Sequence, residues 1–178
     1  TADQLRTIVS HLLPMFDYVF VDTRPSFEES QLALLDLADV VLLTLTMEMT
    51  AIKAGKQYLE VAELLGYPPE KTLLVLNRFS NQSQISVEDI ETHLKGTLKG
   101  RIPDEPTLVL RSINEGVPIA LGDPETHFAR AINNLASVIT DGLVPAEEER
   151  TQRRGLGSLF KRNSAPRAKP DAPRASRV

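Results

Sequence analysis

Three short polar points interrupt apolar runs in this chain, and each carries side chains able to do chemistry. Val19-Phe20-Val21 leads into Asp22, TLLVL leads into Asn77-Arg78, and the stretch GRIPDEP leads through Pro103 to Asp104. A carboxylate at the carboxyl end of a strand is placed to hold a magnesium ion, usually through a water molecule. In open parallel sheets ligands bind outside the carboxyl ends of the strands, where loops converge and helix N-termini point partial positive charge outward. Each point also has a plainer reading. Aspartate is a common turn residue, Asn77-Arg78 can terminate a strand, and Pro103 can break one. A shared rim is what would unite them.

Such a rim requires strands that run the same way with helices between them, and the sequence alternates in that manner. In ADQLRTIVSHLLPMF the apolar Leu5, Ile8, Val9, Leu12 and Leu13 recur at helical spacing, and a strand is expected at Val19-Phe20-Val21. Ser26 is expected to cap the next helix, with Glu29 three residues on as its capping-box partner. DVVLLTLT reads as a strand, AIKAGKQYLEVAELLG as a helix ended by Gly66, and TLLVLN as a strand. A helix from Ser86 with Asp89 in its first turn and a short strand near LKGRIP follow. Continuous Val/Leu strands separated by helices indicate an α/β fold, a mostly parallel sheet covered by helices on both faces.

Composition narrows the chemistry. The 178 residues are 42% hydrophobic and contain no cysteine, which excludes disulfides and thiolate metal sites. His11, His93 and His127 are too far apart in sequence to suggest a local metal pair. No run reaches the roughly 18 apolar residues of a membrane span, and the start TADQ lacks the charged and apolar regions of a signal peptide, so a cytoplasmic protein is expected. The absence of an initiator Met suggests a piece of something longer. Charge is uneven. Residues 1–144 carry 11 Lys/Arg against 20 Asp/Glu, and residues 145–178 carry 9 against 4, so an acidic body is followed by a basic tail. NSAPRAKPDAPRASRV, from about Asn163, is expected to be disordered because it has almost nothing to bury.

The ordered set FDYVFVDTRPS, LADVVLLTLTMEMTAIKAG, LLVLNR and IPDEPTLVLRSINEGVPIAL resembles the MinD/ParA group of P-loop ATPases, and within it the CpaE/TadZ-like proteins that localise type IV (Tad) pilus machinery. The resemblance covers roughly Thr1 to Thr140. It implies ATP and magnesium as cofactors. Asp22 matches the Walker B aspartate that orients magnesium and its water shell. Asn77 matches the asparagine that reads the adenine edge, with Arg78 flanking the base. Pro103 and Asp104 match the loop that closes over its other side. The family's Gly-rich, lysine-containing P-loop and its switch aspartate are absent from the sequence. The resemblance therefore implies the carboxyl-terminal part of such an ATPase, unable to hydrolyse ATP by itself and poorly stable, because the P-loop strand would lie in mid-sheet. Arg24 departs from the small residue usual after the Asp-Thr pair. It can pair with Asp22 or reach a phosphate.

The tail adds a second motif. RRGLGSLFKR places Leu156, Leu159 and Phe160 at i, i+3 and i+4 between Arg153, Arg154, Lys161 and Arg162, the pattern of an interfacial helix on anionic lipid. It is similar to the carboxyl-terminal membrane-targeting helix of MinD, and a solvated basic linker is the alternative. Three functions follow as expectations. The first is an ATP-switched positioning protein that dimerises with ATP and recruits localisation or pilus-assembly partners, peripherally at the inner face of the cell membrane. The second is a partitioning ATPase whose tail binds DNA. The third is a scaffold that keeps the fold without hydrolysis.

Overall fold

The structure is a computed structural model that describes residues 1–143. The expected tail motif of Arg153, Arg154, Leu156, Leu159, Phe160, Lys161 and Arg162 lies outside the described residues.

Helix α1, Ala2–Leu12, starts on a capping box between Thr1 and Gln4. It stops earlier than the apolar spacing suggests, because Pro14 has no N–H with which to continue the ladder. Helix α2, Glu29–Leu37, begins after Glu28 rather than Ser26. The Ser26 hydroxyl accepts from the Glu28 N–H at 3.1 Å, a local turn that uses the oxygen expected to cap the helix.

Between these helices the expected strand at residues 19–21 is not formed. A strand exists only where its N–H and C=O groups find a neighbour, and no described strand lies beside this segment. Its side chains stay largely in solvent, with Phe20 73% and Val21 50% exposed. Asp22 consequently does not sit at the carboxyl end of a strand.

The sheet has three parallel strands in chain order: β1 Val41–Leu45, β2 Thr72–Phe79 and β3 Leu98–Pro103. Leu43 pairs with Leu74, Leu45 with Leu76, and Leu74 with Leu98, so these leucines share one face. Helix α3, Met49–Leu64, and helix α4, Val87–Leu94, cover that face. Ile52, Val87, Ile90 and Leu94 join Leu45, Leu74, Leu76 and Leu98 in one core, where Leu76 and Ile90 are fully buried. Each such side chain contributes about 1.5–3 kcal/mol of transfer free energy. Gly55 lets α3 approach β1, since a Cβ there would lie 2.6 Å from Leu45 Cδ2.

Two other local signals form as expected. Gly66 takes φ +76° and ends α3 as expected. Ser86 and Asp89 form a complete capping box on α4. After β3 come α5, Pro106–Glu115, α6, Ile119–Gly122, and α7, His127–Leu143. Helix α7 lies along β3, where a Cβ at Gly100 would come 3.1 Å from Leu135 Cδ1. Register moves from Leu74–Leu98 to Val75–Gly100, a bulge that turns Gly100 to the face opposite Leu98. Helices therefore lie on both faces of the sheet, the α/β arrangement expected.

Candidate functional site

The carboxyl ends of β2 and β3 meet at a single place. Arg78, near the end of β2, adopts φ +54°, a left-handed backbone uncommon for a residue with a Cβ. Its N–H donates to Asn77 Oδ1 at 3.0 Å, which fixes the carboxamide against the turn it stabilises. The Arg78 side chain crosses to the neighbouring strand end, where Nε donates to Asp104 Oδ1 at 3.3 Å. Phe79 pairs with Pro103, and the Asp104 N–H donates to the Phe79 carbonyl at 3.0 Å. Two of the three polar points, Asn77-Arg78 and Pro103-Asp104, thus form one cluster.

A further residue joins this rim that sequence reasoning did not single out. The Ser80 N–H donates to Met47 Sδ at 3.5 Å, tying the loop after β1 to the loop after β2. The signal available was register: the pairing of Leu45 with Leu76 carries the residues just beyond both to the same end of the sheet.

The third point stays apart. Among the described residues Asp22 makes no side-chain hydrogen bond or ion pair, and Arg24 makes no ion pair, so a bridge between them is not formed. No described group of three or more His, Asp or Glu side chains is placed to hold a metal ion. The arrangement accordingly brings together the residues expected to meet a base, and leaves Asp22 apart from them. Asn77 keeps its amide N–H donors and a second lone pair for the polar edge of a planar base, with Arg78, Pro103 and Asp104 around it. A phosphate-and-metal half is not assembled by these residues.

A parallel α/β sheet with helices on both faces is the doubly wound class of fold, in which ligands bind outside the carboxyl ends of the strands. No family model matches the chain. The septum site-determining protein MinD of Thermotoga maritima is 27% identical over 152 residues, 83% of this chain and 55% of that protein. Among solved structures, the MinC:MinD cell division protein complex of Aquifex aeolicus superposes with TM-score 0.69 at 25% identity, covering 82% of this chain and 62% of that one. MinD of Pyrococcus horikoshii OT3, complexed with Mg-ADP, shares the fold with TM-score 0.66 at 19% identity, covering 78% and 56%. The sequence similarity and the MinC:MinD complex support kinship with the MinD/ParA-type P-loop ATPases, and the Pyrococcus structure shows the shared fold. The chain spans a little over half the length of the curated relative from Thermotoga maritima.

Proposed function

We propose that this chain supplies the carboxyl-terminal part of an ATP-dependent positioning ATPase of the MinD/ParA type, and that its rim cluster holds the adenine. The observation that supports this reading is the Arg78–Asp104 contact, which joins two loops at the carboxyl ends of neighbouring parallel strands. The residues present fit the base of ATP: Asn77 offers donors and an acceptor to its edge, Arg78 and Pro103 flank it, and Asp104 anchors Arg78. They do not by themselves fit magnesium, since Asp22 lies in irregular chain away from a strand end. ATP, when bound, supplies the phosphoanhydride whose cleavage resets a switch; the residues here bind and orient its base.

The longer protein is proposed to supply the phosphate-binding loop, to hydrolyse ATP with Asp22 then acting as its Walker B carboxylate, and to dimerise with ATP bound. Localisation of pilus-assembly machinery, as in CpaE-like proteins, is the finer form of this reading. DNA partitioning and a non-hydrolysing scaffold are the alternatives. Peripheral membrane attachment through Leu156, Leu159 and Phe160 is proposed from sequence. No described helix is long and apolar enough to cross a membrane.

The test is nucleotide binding and turnover in the longer protein with Asp22→Ala and Asn77→Ala. The reading requires Asp22→Ala to bind nucleotide yet lose most turnover, and Asn77→Ala to bind ATP and ADP more weakly. Full turnover in Asp22→Ala would remove the Walker B assignment, and unchanged binding in Asn77→Ala would remove the adenine site.

A further inference from the structure

The outer side of β3 carries no strand among the described residues. An edge strand of this kind presents unpaired backbone groups to any extended chain that approaches. At its start the Leu98 N–H is already held by the Glu91 carboxylate at 2.8 Å, and at its end Pro103 has no N–H to offer. Residues 99–102 remain between these two limits.

Beside this stretch lies a groove of about 240 Å3 between β3 and α7. Gly100 and Leu135 both line it, and a Cβ on the glycine would come 3.1 Å from Leu135 Cδ1. Lys99, Arg101 and Asn134 supply its polar lining, and no acidic side chain lines it. Neither Lys99 nor Arg101 is in an ion pair among the described residues. Their charge is set in a body whose balance is otherwise acidic, with 20 Asp/Glu against 11 Lys/Arg over residues 1–144.

We infer that the β3 edge, with Lys99 and Arg101 bordering the groove beside it, docks an extended acidic segment of a partner protein as an added strand. Main-chain hydrogen bonds along residues 99–102 provide affinity, and the two cations choose the sequence. A second copy of the chain is a poor occupant. Antiparallel pairing of two such edges about Gly100 sets Lys99 of one copy opposite Arg101 of the other, and like charges directly opposite destabilise a pair. An acidic strand meets opposite charge at the same positions. This inference is independent of the nucleotide reading, because it uses the edge of the sheet and not the rim.

The experiment uses the full chain and a fluorescein-labelled hexapeptide alternating glutamate and valine, read by fluorescence anisotropy and by amide hydrogen exchange. A lysine-valine peptide and a single-stranded oligonucleotide serve as the other arms. The expected result is binding of the acidic peptide with slowed exchange at residues 99–102, weakened roughly tenfold or more in the Lys99→Glu/Arg101→Glu variant. Both positions are exposed, so the variant should melt with the parent, and Lys99→Gln/Arg101→Gln gives a milder second variant. Equal binding of the lysine peptide, or full affinity in both variants, would overturn the inference. Failure of the acidic peptide to bind would leave the two cations as guards against edge pairing and overturn it too. Tighter capture of the oligonucleotide, lost in the same variants, would make the groove a nucleic-acid contact instead.

Discussion

Arg78 and Asp104, separated by 26 positions in the chain, meet at 3.3 Å across the carboxyl ends of β2 and β3. Stability does not explain the contact. Their side chains are 65% and 39% exposed, and pairs of this kind are worth about 0.2–1 kcal/mol. The left-handed backbone at Arg78 costs about 1–2 kcal/mol for a residue with a Cβ. The contact at best offsets the strain that accompanies it. What it fixes is geometry: the loops after two strands are held at one spacing, with the Asn77 carboxamide between its own turn and the open rim.

That geometry yields a prediction for Asn77→Ala. The substitution removes the carboxamide proposed to meet the base and also the acceptor for the Arg78 N–H. ATP and ADP carry the same base, so in the longer protein both dissociation constants should rise together, by about tenfold for one lost polar contact. Titration calorimetry with each nucleotide checks this. A loss confined to ATP would place Asn77 near the phosphates and not the base.

Arg78→Gly separates strain from function. Glycine enters the left-handed region without a Cβ penalty, while the surface ion pair is lost and the unfolded chain gains entropy, so stability should change by less than about 1 kcal/mol. Nucleotide affinity should fall nonetheless. Lys95 supplies the control, because it ends α4 in the same backbone region at φ 53° and is no part of the rim. Lys95→Gly should leave affinity untouched. Thermal melts and nucleotide titrations of both variants decide the matter, and equal effects on affinity would mean that Arg78 acts only through the fold.

Which of these features the sequence displays depends on how far apart their causes lie. The Ser86–Asp89 box and the stop at Gly66 involve neighbours in the chain, and both were legible. The apolar runs of β1 and β2 were legible too, because continuous Val and Leu leave no alternation to misread, and the short β3 was expected near LKGRIP. Residues 19–21 have the same composition and form no strand, since pairing depends on a neighbour that composition does not encode. The shared location of Asn77-Arg78 and Pro103-Asp104 follows from parallel order and could be anticipated. The left-handed Arg78 could not, as it rests on a bond from its own N–H to Asn77. Ser26 misled because a serine hydroxyl serves a turn as readily as a helix start.

Tyr67 gives a pH test. Its hydroxyl donates to Asp36 Oδ1, and Lys71 Nζ lies 4.6 Å from its ring centre. Desolvation first, and then the Asp36 carboxylate as hydrogen-bond partner and neighbouring charge, push the phenol up from 10.0 to about 12. A raised pKa means that the folded state keeps a proton the unfolded state gives up. The associated stability is therefore whole below pH 10 and is lost as pH rises towards 12. Tyr67→Phe should cost about 1 kcal/mol at pH 8 and should flatten the decline above pH 10. Urea melts of both proteins across that range make the comparison, and parallel declines would show that other groups govern the alkaline limb.

Gly55→Ala tests how closely α3 is set on the sheet. Alanine favours a helix over glycine by about 0.8–1.0 kcal/mol, so at an exposed position the change would stabilise. Here the new Cβ would stand 2.6 Å from Leu45 Cδ2, a side chain only 4% exposed in the main core. Leu45 must leave its rotamer or α3 must lift, and overpacking of this kind costs about 1–3 kcal/mol. A net loss of about 1 kcal/mol follows. Leu45→Val alone should also destabilise, by removing core volume, but combined with Gly55→Ala it vacates the space the new methyl needs. The double variant should be more stable than the sum of the two losses, by about 0.5–3 kcal/mol of coupling for residues in contact. Denaturant unfolding of the four proteins measures that coupling directly. Additive losses would mean that α3 shifts bodily to admit the methyl, and the approach of α3 to β1 would then not be set by Gly55 against Leu45.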